Sequence, residues 1–125
     1  MIVGIGMDLV DIPRFALALE RHGDRIRRRL FTEAEQQYCA ARPSPPASLA
    51  ARFAAKEAFM KAIGTGLAEG LRWTDVEVIS LAGGRPALRL SGVAAEHLAR
   101  LGATTHWLTL THTAAAAAAT VILEK

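Results

Sequence analysis

The stretch Arg52-Phe53-Ala54-Ala55-Lys56-Glu57-Ala58-Phe59-Met60-Lys61, followed by Ala62-Ile63-Gly64-Thr65-Gly66, decides the interpretation of this chain. It predicts an alanine-rich helix that carries one carboxylate and three cations and ends at a glycine. Glu57 and Lys61 are four residues apart and share one helix face. Because the rest of this helix is mainly Ala, Phe and Met, we expect the Glu57 carboxylate to be buried and to need a cation beside it.

A second carboxylate, Asp8, follows the segment Gly4-Ile5-Gly6-Met7 at the end of the first apolar run. Mg²⁺ takes oxygen ligands and shares one or two carboxylates with a phosphate substrate. Asp8 and Glu57 are therefore candidate metal ligands, and Lys61, one turn before Gly64-Thr65-Gly66, is a candidate phosphate contact. Each feature also has a structural interpretation: a cap or turn for Asp8, an ion pair for Glu57 and a helix end for the glycines.

Length and composition predict one domain, residues 1–125, with enough chain for a single core. The lone cysteine, Cys39, cannot form a disulfide within the chain, which fits a reducing compartment and a small core residue. No stretch has the length of a membrane span, and Asp8 and Asp11 interrupt the first apolar run, which argues against a signal peptide. We therefore expect a soluble cytoplasmic protein without a membrane partner.

The net charge of +3 is modest, but six arginines lie between positions 14 and 29. Only Glu20 and Asp24 oppose them in that segment. Such a cluster favours an anionic partner, which could be a nucleic acid, a lipid head group or an acidic protein. A solvated arginine-rich face is the alternative. Phe15 and Phe31 flank the arginines, but both fit core positions. The cluster therefore has no aromatic side chains for stacking on bases, which argues against RNA as the partner.

Apolar periodicity and capping residues predict the order β-α-α-α-β-β-α-β-β, which indicates an α+β fold. The predicted elements are a strand from Met1 to Leu9, a helix from Pro13 to Gly23 capped by Asp11, a short helix from Asp24 to Leu30, a helix opened by the Thr32–Glu35 capping box, a long helix from Pro45 to Ala62 capped by Ser44, a hairpin of strands 73–81 and 86–90, a helix from Val93 to Leu101, and strands 106–111 and 115–123.

Two histidines and two tryptophans have less specific patterns. His106 and His112 are six residues apart on one predicted strand and project to the same face. They could ligate a metal, but a hydrogen bond in the core or an interface is the commoner role of such residues. Trp73 and Trp107 are interpreted as core residues.

The quoted motifs together resemble the small bacterial phosphopantetheinyl transferases of the holo-acyl-carrier-protein synthase family. The resemblance extends over nearly the whole chain. Its motifs are Gly4-Ile5-Gly6-Met7-Asp8, Arg14, Phe31-Thr32-x-x-Glu35, the block from Arg52 to Gly66, Trp73-x-Asp75-x-Glu77, Gly84-Arg85-Pro86 and Thr111-His112-Thr113. Threonines at 109 and 111, where serines are frequent in the family, are a mild departure.

The resemblance implies a small antiparallel sheet packed against a long central helix. It also implies transfer of 4′-phosphopantetheine from coenzyme A to a serine of apo acyl carrier protein, with release of adenosine 3′,5′-bisphosphate. By this analogy Asp8 and Glu57 hold Mg²⁺, and Lys61 balances charge on the pyrophosphate. Glu57, directly or through a metal-bound water, accepts the serine proton. The analogy assigns to the coenzyme A site the residues Lys61, Gly64, Thr65, Gly66, Arg52, Pro86 and His112.

The resemblance also implies partners. Acyl carrier proteins are acidic, and Arg14, Arg21, Arg25 and one of Arg28 or Arg29 would form a docking stripe for them. Small members of the family form trimers with active sites between subunits. A trimer would explain how one short chain buries both faces of its sheet.

Two alternatives remain at this level. A Mg²⁺-dependent nuclease or phosphatase could use the same carboxylates and the basic cluster, with no need of coenzyme A. A non-catalytic module could bind acidic proteins or RNA through its arginines, in which case Asp8 and Glu57 would be replaceable.

Overall fold

The computed structural model describes residues 1–67 and 70–125. In chain order the elements are β1 (Ile2–Asp11), α1 (Ile12–Leu30), α2 (Glu33–Ala40), α3 (Pro45–Ile63), a 3₁₀ turn (Trp73–Asp75), β2 (Val76–Ser80), β3 (Pro86–Leu90), α4 (Gly92–Arg100), β4 (Thr105–His112) and β5 (Ala116–Glu124). Within the described ranges no helix is long and apolar enough to cross a membrane.

The strands form two antiparallel sheets. One sheet has the order β1-β5-β4 and the other is the β2-β3 hairpin. Helix α3 packs on the three-stranded sheet and contributes most of its buried residues to the main core. This confirms the α+β fold with a small antiparallel sheet on a long central helix.

Two glycines of β1 allow α3 to approach the sheet closely. A Cβ at Gly4 would overlap the carbonyl oxygen of Ala62, and a Cβ at Gly6 would overlap that of Ala58. Only glycine leaves room for the helix backbone at these positions. The alternating glycines indicated a close backbone approach by another strand or a ligand, whereas the element that approaches β1 here is helix α3.

Helix capping explains where the first helices begin and bend. The Asp11 carboxylate accepts a hydrogen bond from the Arg14 N–H at 2.9 Å, as predicted for the start of α1. Gly23 has a φ of 59° and a ψ of −147°, so it breaks α1 into two helical segments. The capping box between Thr32 and Glu35 at the start of α2 is confirmed.

Three predictions about local structure are wrong. The segment Trp73–Asp75 is a 3₁₀ turn, so β2 begins only at Val76. Ser44 precedes α3 but its side chain forms no capping hydrogen bond; Pro45 and Pro46, which have no N–H, occupy the first two positions of the helix. The apolar residues of β1 also predicted a buried strand, but Ile5 and Leu9 are 65% and 68% exposed.

The exposed face of the three-stranded sheet is apolar along β1 and carries threonines on β4 and β5. It comprises side chains that alternate with the core-facing residues of each strand: Ile5, Met7, Leu9, Trp107, Thr109, Thr111, Ala118, Thr120 and Ile122. We call these residues the outer sheet face. Helix α3 covers only the opposite face.

Candidate active site

The candidate site lies where β1 and α3 touch. Glu57 and Lys61 directly precede Ala58 and Ala62, the two residues whose carbonyl oxygens contact the glycines of β1. Asp8 follows Gly6 by two residues and so lies on the same face of β1. The fold thus brings together the three residues that the sequence assigned to metal and phosphate chemistry.

Asp8 and Lys61 form an ion pair. The Lys61 Nζ lies 3.2 Å from the Asp8 Oδ1 atom and donates a second hydrogen bond to the Met7 carbonyl oxygen at 3.1 Å. The Asp8 side chain is largely buried, whereas the Lys61 side chain is 56% exposed. The sequence had offered Glu57 as the structural partner of Lys61, but the ion pair that forms is with Asp8.

Glu57 is half-buried rather than fully buried, which corrects the prediction from the composition of the helix. Partial burial raises the pKa of the Glu57 carboxyl, and the nearby charge of Asp8 raises it further, while Lys61 opposes both effects. A carboxylate whose pKa is raised by a second carboxylate holds a proton more readily than usual. Glu57 is therefore suited to act as a general base.

An open cleft of about 470 Å³ adjoins these groups. Its lining combines a charged part with an apolar part: Glu57, Lys61, Gly64, Gly66, Met60, Leu67 and Trp73. The size is within the range of small-molecule sites, roughly 300–1,000 Å³. A ligand with a charged group and an apolar arm matches this lining.

The glycine turn provides the polar end of the cleft. Gly64 and Gly66 have φ values of 81° and 59°, in the left-handed region that favours glycine. Gly64 ends α3, and the Thr65 hydroxyl donates a hydrogen bond to the Gly66 carbonyl oxygen at 3.3 Å. Gly64 and Gly66 therefore line the same cleft as Lys61.

The carboxylates fit a hard divalent cation. Asp8 and Glu57 lie close enough for the charge of one to disfavour ionisation of the other, and a cation between them would relieve that repulsion. Within residues 1–67 and 70–125 no cluster of three or more His, Cys, Asp or Glu side chains could hold a metal. Two carboxylates suit Mg²⁺, because this ion usually keeps several bound waters and is also bound by the phosphate groups of a substrate.

Three residues assigned to the coenzyme site lie elsewhere. Arg52 precedes Lys61 by nine residues, so the two project from opposite sides of α3. The buried Arg52 guanidinium stacks on the Tyr38 ring at 4.3 Å, and among residues 1–67 and 70–125 its Nε atom has no hydrogen-bond partner. Pro86 pairs with Ser80 next to the turn that joins the two strands of the hairpin. Neither residue lines the cleft beside Glu57.

His112 is the third residue outside the cleft. It lies exposed at the end of β4, where it pairs with Ala117. Strand β5 lies between β4 and β1, and the residue of β5 that pairs with His112 pairs on its other side with Val10 of β1. His112 is therefore level with Val10 and not with Asp8. His106 lies nearer the other end of β4, half-buried, and burial lowers its pKa.

The predicted docking arginines lie on one helix. Arg14, Arg21, Arg25 and Arg29 are all exposed on α1. Arg21, Arg25 and Arg29 line a shared groove beyond the break at Gly23. Within residues 1–67 and 70–125 none of the four arginines forms an ion pair with a carboxylate. Their charge is available to an anionic partner.

The sequence analysis missed the apolar wall of the cleft. Trp73 was interpreted as a core residue, but it is half-buried and lines the cleft together with Met60 and Leu67. The sequence contained one indication of this role, since Trp73 lies in the segment that follows the glycine turn. Its place in the wall of the cleft depends on tertiary packing, which the sequence pattern does not reveal.

Comparisons with known proteins show the family and the fold of this chain. The model of the 4′-phosphopantetheinyl transferase superfamily matches residues 4–121. A holo-(acyl-carrier-protein) synthase of Methylorubrum populi is 49% identical over 128 residues, which cover 99% of this chain and 94% of the relative. The crystal structure of the Neisseria meningitidis holo-(acyl-carrier-protein) synthase gives a TM-score of 0.91 at 30% identity and covers 100% of both chains.

A further solved structure, the holo-(acyl-carrier-protein) synthase of Bacillus anthracis in complex with CoA (3′,5′-ADP), gives a TM-score of 0.81 at 32% identity. The match covers 100% of this chain and 98% of that one. The chain belongs to the 4′-phosphopantetheinyl transferase superfamily. Its relatives are holo-(acyl-carrier-protein) synthases, and it is an enzyme of this transferase class. This result decides against a nuclease or a non-catalytic binding module.

Proposed function

We propose that this enzyme transfers 4′-phosphopantetheine from coenzyme A to a serine of apo acyl carrier protein, with Mg²⁺ as the metal. The observation that carries the proposal is that Glu57 and Lys61 line one cleft with Gly64 and Gly66, while Asp8 pairs with Lys61 and lies close enough to Glu57 for its charge to act there. The relatives named holo-(acyl-carrier-protein) synthase and the Bacillus anthracis complex with CoA (3′,5′-ADP) support this choice of substrates.

The reaction needs one proton transfer and one phosphoryl transfer. The serine hydroxyl attacks the β-phosphorus of coenzyme A, the bond from that phosphorus to the bridging oxygen breaks, and adenosine 3′,5′-bisphosphate leaves. Glu57, whose carboxylate lines the cleft, accepts the hydroxyl proton. Lys61 leaves its ion pair with Asp8 and binds the pyrophosphate oxygens instead, together with N–H groups of the glycine turn.

Asp8 and Glu57 would hold the Mg²⁺ ion. Bound there, the ion would neutralise charge on the pyrophosphate. The metal would also remove the repulsion between the two carboxylates, since a cation favours the ionised form of both. Lys61 would then be released from its ion pair with Asp8, and its exposed side chain leaves it free to reorient.

We propose a homotrimer in which each active site is shared between neighbouring subunits. Arg52, Pro86 and His112 do not meet Glu57 within one chain, so a coenzyme that contacts both groups would bridge two copies. The outer sheet face supports this, because an apolar face of this extent is typical of an interface. The orphaned Nε of buried Arg52 is a donor that an anionic group of coenzyme A could satisfy.

The arginines of α1 fit the second substrate. Arg14, Arg21, Arg25 and Arg29 present positive charge that an acidic carrier protein would complement. We further propose that the chain acts as a single domain, residues 1–125, in fatty acid biosynthesis in the cytoplasm. The family match over residues 4–121 and the free, buried Cys39 thiol support the domain and the reducing compartment.

Product analysis tests the proposed function. The protein is incubated with coenzyme A, apo acyl carrier protein and Mg²⁺, and the small molecules are separated by chromatography. Adenosine 3′,5′-bisphosphate should appear in equal amount to holo carrier protein, and both should vanish when the metal is chelated or the carrier serine is replaced by alanine. Turnover of coenzyme A that is independent of the carrier serine would contradict the proposal.

A further inference from the structure

A buried ion pair lies directly behind the candidate site. Lys56, the neighbour of Glu57 in sequence, is completely buried, and so is the side chain of its partner Glu35. The Lys56 Nζ donates to the Glu35 Oε1 atom at 2.8 Å, to the Trp73 carbonyl oxygen at 3.1 Å and to the Val76 carbonyl oxygen at 2.6 Å. Three acceptors use all three N–H bonds of a charged ammonium group.

Glu35 is equally saturated. Besides Lys56, its carboxylate accepts hydrogen bonds from the Thr32 N–H at 3.0 Å and from the Val78 N–H at 2.9 Å. Glu35 thus connects α2 to β2, and Lys56 connects α3 to the same strand. The pair joins three elements around one point, although the sequence explained Glu35 only as part of a capping box.

The two carbonyl groups that Lys56 holds lie at either end of the 3₁₀ turn. Trp73 is the first residue of the turn, and Val76 is the residue immediately after it. The Trp73 ring packs on Phe53 with 5.1 Å between ring centroids and lines the cleft that Glu57 and Lys61 also line. The ammonium of Lys56 therefore fixes the backbone from which the apolar wall of the cleft projects.

We infer that Glu35 and Lys56 are positioning residues for catalysis, which hold the Trp73 ring as the wall against which the substrate arm binds beside Glu57. The inference rests on the proposed function only in naming that substrate as coenzyme A. The two residues act through Trp73 and do not contact the substrate themselves.

An ion pair is a costly way to connect these elements. Replacement of a buried pair by apolar side chains is often neutral or stabilising, so such a pair is weak evidence for stability. What apolar residues cannot do is bind two carbonyl oxygens at defined positions. The retention of charge at this point is thus explained by the geometry of the turn that carries Trp73.

The matched test uses the double variant Glu35→Gln/Lys56→Met, which removes both charges of the buried pair. It is compared with Glu96→Gln/Arg100→Met, which removes an exposed ion pair on α4. Both are made in a Trp107→Phe background, because the chain has two tryptophans and Trp73 is then the single fluorophore. Acrylamide quenching of Trp73 is measured without substrate, and Michaelis constants are measured for both substrates.

We expect the Glu35/Lys56 double variant to fold, with quenching of Trp73 increased about twofold and the coenzyme A constant raised about tenfold. The carrier-protein constant should change less than twofold, and the α4 control should change none of these values. A folded double variant with unchanged quenching and an unchanged coenzyme A constant would overturn the inference and leave a purely structural pair.

Trp73→Ala completes the test as a double-mutant cycle. It should raise the coenzyme A constant by a similar factor, and the Glu35/Lys56 change should add little in the Trp73→Ala background, since both act on one wall. Additive effects of the two changes would contradict the inference. If the Glu35/Lys56 variant does not fold, an unchanged coenzyme A constant for Trp73→Ala alone would contradict it. Absence of transfer in the parent protein would instead refute the proposed function, while the quenching result stays interpretable.

Discussion

The ammonium nitrogen of Lys61 lies 3.2 Å from the Oδ1 atom of Asp8. Lys61 therefore places a positive charge directly beside the Asp8 carboxylate. Glu57, next to both, lacks such full compensation, and burial with the charge of Asp8 raises its pKa. This asymmetry between the two carboxylates leads to the first two predictions.

Removal of either carboxylate should abolish transfer without unfolding the protein. Asp8→Asn and Glu57→Gln are each expected to lower kcat by about 100-fold or more, because the charge and the base are needed at the reacting phosphate. Circular dichroism should remain unchanged. Glu96→Gln, which alters an exposed carboxylate on α4, is the control and should keep full activity. Near-normal turnover of either site variant with Mg²⁺ would contradict the assignment.

Glu57→Gln should stabilise the metal-free protein at neutral pH. A carboxyl with a raised pKa in the folded state binds protons more tightly there than in the unfolded state, so its ionised form opposes folding above that pKa. The gain in free energy of unfolding should disappear as the pH falls through the folded pKa, where Glu57 is protonated. Denaturant unfolding between pH 4 and pH 8 measures it. A gain that persists at low pH would point to a different cause.

Charge reversal on α1 should weaken carrier binding selectively. The triple variant Arg14→Glu/Arg21→Glu/Arg25→Glu should raise the Michaelis constant for the carrier protein roughly 10-fold or more. The coenzyme A constant should stay near its parent value, and the effect should shrink with salt because exposed charges are screened. Arg100→Glu on α4 is the exposed control. Equal losses for both substrates would place these arginines in the coenzyme site instead.

A charge on the outer sheet face should dissociate the trimer. Ile5 is 65% exposed in the single chain, and Ile5→Asp would place a carboxylate at the proposed interface. Analytical ultracentrifugation should show a trimer for the parent and a monomer for the variant, with loss of transfer. Leu81→Asp, at an exposed position in the hairpin turn, should remain trimeric. A monomeric parent that is fully active would refute the shared site.

Much of the fold could be predicted from local signals. Asp11, the Thr32–Glu35 capping box and Gly64 act within one helical turn of their positions, so the helix boundaries that they set were recognisable. The prediction that the Ser44 side chain caps α3 was wrong, because the residue type does not reveal whether the hydroxyl reaches an N–H group. The start of β2 failed because the hydrogen bonds of Lys56 hold Trp73–Asp75 as a turn, and Lys56 lies 17 residues before Trp73.

The site was predictable where spacing along one element determines it. Glu57 and Lys61 share a helix face by their spacing, and the glycines of β1 indicated the close contact that brings Asp8 beside them. The burial of Lys56 rather than Glu57 was not predictable, because both neighbours lie in the same apolar context. The choice depends on Glu35, which is 21 residues away in sequence and adjacent only in the fold.

Intact-mass spectrometry of the carrier protein tests the central claim most directly. Apo acyl carrier protein is incubated with coenzyme A, Mg²⁺ and either the parent enzyme or Glu57→Gln. The account predicts that the parent converts the carrier to a species heavier by one phosphopantetheine group, while Glu57→Gln leaves its mass unchanged over the same period. An unmodified carrier with the parent enzyme, or equal conversion by both proteins, would contradict the account.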